Sequence, residues 1–162
     1  MEVTRTFDIL EKLVKEYPKE DILSRRVNGK WIKYSCDSYS RHSHLLSYAF
    51  LSLDLNPGDK VITVSNNRPE WNFLDMGLNL AGLVHVPVYT TLSNDDYLHI
   101  FNHSDAKIIF IGGDALVKKI SPLVLKIKRE IEVITIDKAD GFRCIDDLYK
   151  IGEELEDKYK EV

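Results

Sequence analysis

Cysteine is scarce in this chain of 162 residues, which carries only Cys36 and Cys144. The two lie far apart and neither belongs to a C-x-x-C unit, so the sequence indicates neither a zinc site nor a redox pair. We expect both to be free thiols in a reducing compartment.

Long hydrophobic runs are also missing. No apolar stretch reaches the roughly 20 residues that a helix needs to span a bilayer. Residues 1–7 contain no apolar core and no small-residue cleavage site, so they predict no signal peptide. The sequence therefore predicts a cytoplasmic protein without a transmembrane segment.

An excess of positive charge is absent as well. The chain has 22 Lys and Arg against 26 Asp and Glu, with a net charge of −4. Proteins that bind nucleic acids usually carry a basic face, so DNA and RNA are not expected partners. The composition, 44% hydrophobic and 30% charged, is that of an ordinary globular protein, and the length predicts a single domain over residues 1–162.

The first third of the chain predicts a helix, a hairpin and a second helix. Apolar residues recur at helical spacing over residues 6–17. Asn28-Gly29, flanked by alternating apolar residues, predicts an antiparallel hairpin over about residues 22–34 with a type I′ turn. Ser35 can cap a helix that runs to about Asp54.

From about residue 60 to residue 162, apolar strands alternate with helices in the order β-α-β-α-β-α-β-α. This order predicts an α/β fold with a mainly parallel, doubly wound sheet and helices on both faces, to which the small N-terminal antiparallel hairpin is attached. Pro87 lacks an N–H donor and should therefore end a strand or lie beside a bulge. The predicted strands cover residues 61–64, 83–88, 107–111 and 132–136, and the last helix covers residues 146–160.

Two glycines, Gly112 and Gly113, follow a predicted strand and precede a predicted helix, which is where phosphate-binding turns lie. Their surroundings match neither G-x-G-x-x-G nor G-x-x-x-x-G-K-[ST]. We therefore interpret them as a structural turn and not as a phosphate site.

The histidines form no obvious site. His99 and His103 lie four residues apart on a predicted helix and could face one metal ion, but a third ligand is missing, so we interpret both as surface residues. His42 and His44, two apart, should diverge on their helix. His85 lies within an apolar strand, where it could be a pH sensor or a general base. We interpret it as a core residue whose polar atoms have partners.

Adjacent acidic residues occur as Asp95-Asp96 and Asp146-Asp147. Each pair begins a predicted helix, where the backbone dipoles stabilise negative charge, so helix capping accounts for them without acid–base catalysis. No serine lies in a G-x-S-x-G elbow. The residues alone thus identify no catalytic residue, no cofactor-binding residue and no metal ligand.

A series of short motifs, taken in their order along the chain, indicates a family. Residues 56–71 are NPGDKVITVSNNRPEW, residues 81–93 are AGLVHVPVYTTLS, and residues 104–107 are SDAK. In this series the chain resembles the N-terminal part of the adenylate-forming enzymes, specifically the long-chain fatty acid–CoA ligases. The resemblance extends over residues 20–150, and its specificity comes from the order of the motifs, which are individually weak.

The resemblance implies a reaction. Such ligases use ATP and magnesium to convert a carboxylate into an acyl-adenylate with release of pyrophosphate, and coenzyme A then takes the acyl group. It also implies that the phosphate loop, the adenine-binding motifs and the catalytic lysine lie beyond residue 162. We therefore expect this chain to be inactive alone, with the remainder of the ligase as its partner and a fatty acid as the parent's substrate.

Two other functions stay open at this point. A stand-alone, non-enzymatic module could use the same sheet to hold a nucleotide or a protein, and a natural stop codon after Val162 would favour it. A small flavodoxin-like redox or regulatory protein needs a phosphate-binding loop after the first parallel strand, where Pro69 removes a donor.

Exposed apolar surface is expected if the chain is separated from the rest of a ligase. Large apolar patches tend to find partners. We therefore expect self-association through the face that the remainder of the enzyme would cover.

Overall fold

Six helices and seven strands make up the part of the chain that the computed structural model describes, residues 2–159. Residues 160–162, the end of the predicted last helix and of the predicted doubly wound region, lie outside it. None of the described helices has both the length and the apolar character needed to cross a bilayer. The helices are α1 (Asp8–Glu16), α2 (Cys36–Leu51), α3 (Pro69–Leu80), α4 (Asn94–Ser104), α5 (Asp114–Val124) and α6 (Ile145–Tyr159), and the strands are β1 (Leu23–Val27), β2 (Lys30–Tyr34), β3 (Lys60–Val64), β4 (Val84–Val88), β5 (Ile108–Ile111), β6 (Glu132–Thr135) and β7 (Arg143–Cys144).

The predicted hairpin is confirmed. β1 and β2 pair antiparallel, with Val27 opposite Lys30 at the turn. Asn28 and Gly29 have φ angles of 49° and 79°, the left-handed backbone that a type I′ turn requires at both positions.

The five remaining strands form one parallel sheet in the order β4-β3-β5-β6-β7. The predicted fold class is therefore confirmed. The order places the first parallel strand, β3, between the second and the third, as in flavodoxin-like sheets. The strand β4 is therefore added on one side of β3, and β5 to β7 are added on the other side. β7 was not predicted from the sequence, because a strand of two residues is too short to show an apolar pattern.

Alternate residues of the central strands face opposite layers of helices. Val61, Phe110 and Ile134 pack in the core that includes residues of α2, α3 and α6. Ile62 and Ile109 pack in a second core with residues of α4 and α5. This alternation is the period of two that a strand imposes, and burying both faces explains why the strands are apolar throughout.

Helix α2 packs closely against two neighbours through glycine. A Cβ on Gly77 of α3 would lie 2.9 Å from the Cβ of Leu46, and one on Gly152 of α6 would lie 2.1 Å from the carbonyl oxygen of Leu45. The absence of side chains at these two positions is what lets the three helices form one layer.

Helix starts follow the predicted capping. Ser35 accepts a hydrogen bond from the N–H of Ser38, and Ser93 forms a capping box with Asp96. Before α6, the carboxylate of Asp147 accepts the N–H of Cys144 at 3.0 Å. Asp96 and Asp147 thus act as predicted, whereas α2 ends at Leu51, three residues before the predicted end.

Pro87 lies inside β4, not at a strand end or a bulge as predicted. β4 is an edge strand, and Val84 directs its N–H to the carbonyl of Asp59 on the side of β3. Alternation along the strand turns the nitrogens of His85 and Pro87 away from β3. The donor that proline lacks would therefore point to the free edge, and no bond between the strands is lost.

Both cysteines are buried free thiols, as predicted. The Cys36 thiol lies 3.6 Å from the carbonyl oxygen of Tyr17, and the Cys144 thiol lies 3.4 Å from a carboxylate oxygen of Asp147.

Candidate functional site

The carboxyl ends of β3 and β4 border a cavity of about 650 Å³. Residues 65–67, which follow β3, form one side, and Tyr89 and Thr90, which follow β4, form the other. The Thr90 hydroxyl donates to the side-chain oxygen of Asn66 at 3.5 Å and links the two loops. The lining residues are Ser65, Asn66, Asn67, Trp71, Pro87, Val88, Tyr89 and Thr90.

This lining suits binding more than proton transfer. It combines amide and hydroxyl groups with two aromatic rings, and the Tyr89 side chain is 82% exposed. Carboxylates, imidazoles and amines are missing from it, so it offers no acid or base that titrates near neutral pH. Two of the three motif segments that carried the resemblance, residues 56–71 and 81–93, meet at this cavity, a proximity that the sequence alone did not predict.

The crevice between β3 and β5 is the place where a doubly wound sheet commonly binds its ligand. Here the turns that follow β3 and β5 are in close contact, because a Cβ on Gly112 would lie 2.4 Å from the hydroxyl oxygen of Ser65. The backbone N–H of Gly113 is among the groups that lower the pKa of Asp137, so that carboxylate lies near the amino end of α5. A phosphate bound at this helix end would therefore lie beside a carboxylate.

Asp137 belongs to a network of ion pairs along this edge. The Arg68 guanidinium contacts Asp137 at 2.6 and 2.8 Å and Glu70 at 2.9 Å. Glu70 also contacts Arg25 of β1 at 2.5 Å. The network therefore joins the hairpin, the start of α3 and the loop after β6.

The network shifts the pKa of its members. For Asp137, the hydrogen bonds from Arg68 are the main cause of a pKa below the ordinary value. Burial acts to raise the pKa of Glu70, but the hydrogen bonds from Arg68 and from the backbone, together with the charges of Arg68 and Arg25, outweigh it and the net shift is downward. Burial likewise acts to lower the pKa of Arg68, and its bonds to Asp137 and Glu70 raise it above the ordinary value. All three groups are ionised at neutral pH.

A smaller cavity of about 320 Å³ lies beside this network. His42 lines it, stacks on Phe73 with ring centroids 4.7 Å apart, and has its Nδ1 2.7 Å from the carbonyl oxygen of Ser38. Because a carbonyl only accepts, Nδ1 carries a proton. The buried hydroxyl of Tyr149 has no hydrogen-bond partner among the described residues, and burial raises the pKa of Tyr149, which keeps that hydroxyl protonated.

His85 is only partly the satisfied core residue that the sequence predicted. Its side chain is 5% exposed, its Nδ1 lies 2.7 Å from a carboxylate oxygen of Asp75, and its ring lies 5.0 Å from that of Trp71. Its Nε2 is buried without a partner in the described part of the chain. Asp75, one of the polar residues of α3, gave no sign in the sequence that it would face β4.

Of the remaining histidines, His42 lines the smaller cavity, whereas His44, His99 and His103 line neither of the two cavities. His99 and His103 are exposed on α4, as predicted, with nearly parallel rings 5.8 Å apart. Within residues 2–159, no group of three or more His, Cys, Asp or Glu side chains is arranged to hold a metal ion. His44 diverges from His42, as predicted, and places its Nδ1 2.9 Å from the carbonyl oxygen of Ser40.

Arg25, Asp137 and Tyr149 are the site residues that sequence reasoning missed. For Asp137 a signal was present, since an acidic residue directly after a buried parallel strand lies at the carboxyl edge where ligands and polar networks gather. Arg25 lies in a hairpin and Tyr149 in an amphipathic helix, and no local pattern distinguishes either from a surface residue.

Comparison with known proteins assigns the chain to a family. The family model for AMP-binding enzymes matches residues 10–158. The long-chain-fatty-acid–CoA ligase FadD15 of Mycobacterium bovis is 26% identical over 149 residues, which are 90% of this chain and 25% of that protein. Fatty acyl-CoA synthetase A of Dictyostelium discoideum is 30% identical over 140 residues, 80% of this chain and 21% of its own length.

Solved structures show the same fold. A protein assigned as a long-chain-fatty-acid CoA ligase from Rhodopseudomonas palustris superposes with a TM-score of 0.76 at 18% identity, over 90% of this chain and 36% of its own. A benzoate CoA ligase from Burkholderia xenovorans superposes with a TM-score of 0.72 at 17% identity, over 91% and 28%. This chain spans about a quarter of the length of the mycobacterial relative. With the family match extending over nearly all of its described residues, the chain belongs to the AMP-binding enzyme family.

Proposed function

We propose that this chain is the N-terminal portion of an ATP-dependent acyl-CoA ligase whose substrates are long-chain fatty acids. The observation that carries the proposal is the family match over residues 10–158, since members of this family include ligases that join acids to coenzyme A. The fatty-acid substrate class is supported by the mycobacterial and Dictyostelium relatives, which align with 90% and 80% of the chain.

The residues of this chain do not fit ATP and magnesium by themselves. The amino end of α5, the turn that resembled a phosphate site, lies near the Asp137 carboxylate, which would repel a phosphate. The described residues also offer no set of three acidic or histidine ligands for a metal. We propose that ATP, magnesium and coenzyme A are bound mainly by the remainder of the parent, and that this chain provides scaffold and the wall of the larger cavity.

The first testable part of the proposal is that the isolated chain is inactive. The purified 162-residue protein would be assayed for exchange of labelled pyrophosphate into ATP and for acyl-CoA formation from palmitate. We expect both rates to equal the rate without protein, because the larger cavity is lined by no acid or base, and residues 2–159 hold no metal-binding set that could stabilise charge in the reaction. Turnover by the pure chain would overturn this part and leave the family assignment intact.

The substrate class requires the parent protein. The reading frame would be followed past residue 162, and the complete product assayed with palmitate, 4-hydroxybutyrate and benzoate. We expect palmitate to give the highest kcat/KM, by at least about tenfold, because a pocket shaped for a long chain gains binding from each methylene. A stop codon after residue 162 would refute the ligase proposal and favour a stand-alone binding module. A parent that prefers benzoate would refute only the fatty-acid substrate.

We also propose that residues 1–162 behave as one domain and that the parent is cytoplasmic. One unfolding transition, with coincident midpoints by circular dichroism and tryptophan fluorescence, is the expected result for a single cooperative unit. Separate transitions of the hairpin and the sheet would contradict the single domain. Fractionation of the native cells would test the compartment.

A further inference from the structure

One stretch of the chain has a charge opposite to that of the whole. Residues 115–129 contain five basic residues and no acidic residue, whereas the entire chain carries a net charge of −4. The stretch begins in α5 and continues through the turn that follows it. Its positive charge therefore lies on one helix and the turn that follows it.

The geometry of α5 directs part of this stretch into solvent. Ile120 and Leu123 are buried against the sheet, at 0% and 4% exposure. Lys118, Pro122 and Leu125 follow at helical spacing on the opposite face. Leu125 is 87% exposed, the largest value for an exposed large hydrophobic residue in the described part of the chain.

Three of the lysines are free to interact with a partner. Lys118, Lys126 and Lys128 are exposed and form no ion pair among residues 2–159. Lys119 differs, since its ammonium donates to the carbonyl of Leu92 at 2.7 Å. Arg129 also differs, because it donates to backbone carbonyls inside the protein. We call the free group, with its two apolar neighbours, the α5 basic patch: Lys118, Pro122, Leu125, Lys126 and Lys128.

We infer that the α5 basic patch binds the surface of an anionic lipid bilayer. Lysines at the rim of an exposed apolar side chain are typical of helices that lie at such interfaces, with the apolar group among the acyl chains and the ammonium groups near the headgroup phosphates. A protein partner fits less well, because a stable protein interface requires a broad complementary surface with buried aromatic anchors, and Leu125 protrudes alone. The inference does not depend on the proposed ligase activity.

Sedimentation with vesicles tests the inference directly. The 162-residue chain would be mixed with vesicles of phosphatidylcholine alone, or with about 30% phosphatidylserine, at about 0.1 M and about 0.5 M salt. We expect binding only to the vesicles that contain phosphatidylserine, and loss of most of it at the higher salt, because screening shortens the reach of the lysine charges. Equal binding to both vesicles, or binding to neither, would overturn the inference.

Substitutions in the α5 basic patch then test whether this patch is the surface that binds the vesicles. The double substitution Lys118→Gln and Lys126→Gln should weaken partitioning about 25-fold, since each lysine near an anionic surface contributes about fivefold. Leu125→Ser should weaken it further at the lower salt. A matched control, Lys19→Gln with Lys30→Gln, makes the same change in net charge at exposed positions elsewhere and should leave partitioning within about twofold.

Two results would contradict the assignment to this patch. If the control pair weakened binding as much as the patch pair, net charge and not the patch would be responsible. If the chain bound polyglutamate but no vesicle, the patch would be a surface for acidic proteins. Circular dichroism of every variant would establish that the fold is intact, and we expect it to be, because the replaced side chains are exposed.

Discussion

Arg68 and Asp137, separated by 69 positions in the sequence, form a two-point ion pair with nitrogen–oxygen distances of 2.6 and 2.8 Å. The pair joins the loop after β3 to the loop after β6 at the carboxyl edge of the sheet. In this member of the AMP-binding family, two charged side chains of the protein thus contact each other along the edge at which doubly wound sheets commonly bind a ligand.

Removing the Arg68 guanidinium should destabilise the fold. Arg68→Ala leaves Glu70 and Asp137 without their main partner, and we expect the free energy of unfolding to fall by about 2–3 kcal/mol, less than for a fully buried pair because Asp137 is 41% exposed. Urea unfolding followed by tryptophan fluorescence measures the loss. Arg41→Ala is the matched control, since the Arg41 side chain is 53% exposed against 13% for Arg68, and it should cost less than about 1 kcal/mol. Equal losses in the two variants would show that the network contributes no more than a surface pair.

The same network predicts a dependence on pH. Asp137 and Glu70 have folded-state pKa values below their ordinary values of 3.8 and 4.5. Groups of this kind stabilise the fold fully above their unfolded pKa, and that stabilisation is lost as the pH falls towards the folded pKa. We expect the urea midpoint of the wild type to fall below about pH 4.5, and to fall less steeply in Asp137→Asn. Parallel curves for the two proteins would contradict the role of Asp137.

The contact between α2 and α6 predicts a strong effect of one methyl group. Gly152→Ala places a Cβ 2.1 Å from the carbonyl oxygen of Leu45, a backbone atom that cannot rotate away. The two helices must separate, and we expect a loss of about 2–3 kcal/mol in the free energy of unfolding. Glu154→Ala, an exposed position on the same helix, should stay within about 0.5 kcal/mol of the wild type. A Gly152→Ala protein as stable as its control would mean that α6 packs elsewhere.

Self-association should depend on the free edge of β4. Val84 is 44% exposed there and Tyr89, just beyond the strand, is 82% exposed, so the edge offers both unpaired backbone groups and apolar side chains. We expect the apparent mass by light scattering to rise with protein concentration, and Val84→Lys to reduce this rise. Leu51→Lys, at a residue 42% exposed at the end of α2, is the control and should not. A monomer at all concentrations would refute the expectation of self-association.

Turns, helix caps and strands could be predicted from the sequence, because each is determined by one short segment. Asn28-Gly29 predicted the hairpin turn, and Ser93 with Asp96 predicted the capping box. The apolar strands between helices predicted the parallel sheet. These features depend on backbone geometry and on neighbours a few positions away, which the sequence displays directly.

Features that depend on partners far along the chain could not be predicted in this way. β7 has two residues and exists because β6 offers it an edge. The Nδ1 of His85 contacts Asp75 across a helix–strand contact, whereas its Nε2 has no partner within residues 2–159, and neither result follows from the composition of the strand. The cavity near Trp71 likewise arises from two loops that are distant in sequence and meet only because β3 and β4 are adjacent.

The close approach of Leu45 and Gly152 also constrains the order in which the molecule can assemble during synthesis. Helix α2 leaves the ribosome before α6, and strands β3 to β7 are synthesised between them. Until Gly152 has emerged, that side of α2 faces water or a chaperone, and one layer of the core stays open. A domain whose second and sixth helices pack together in this way completes this helix layer only after α6 has been synthesised.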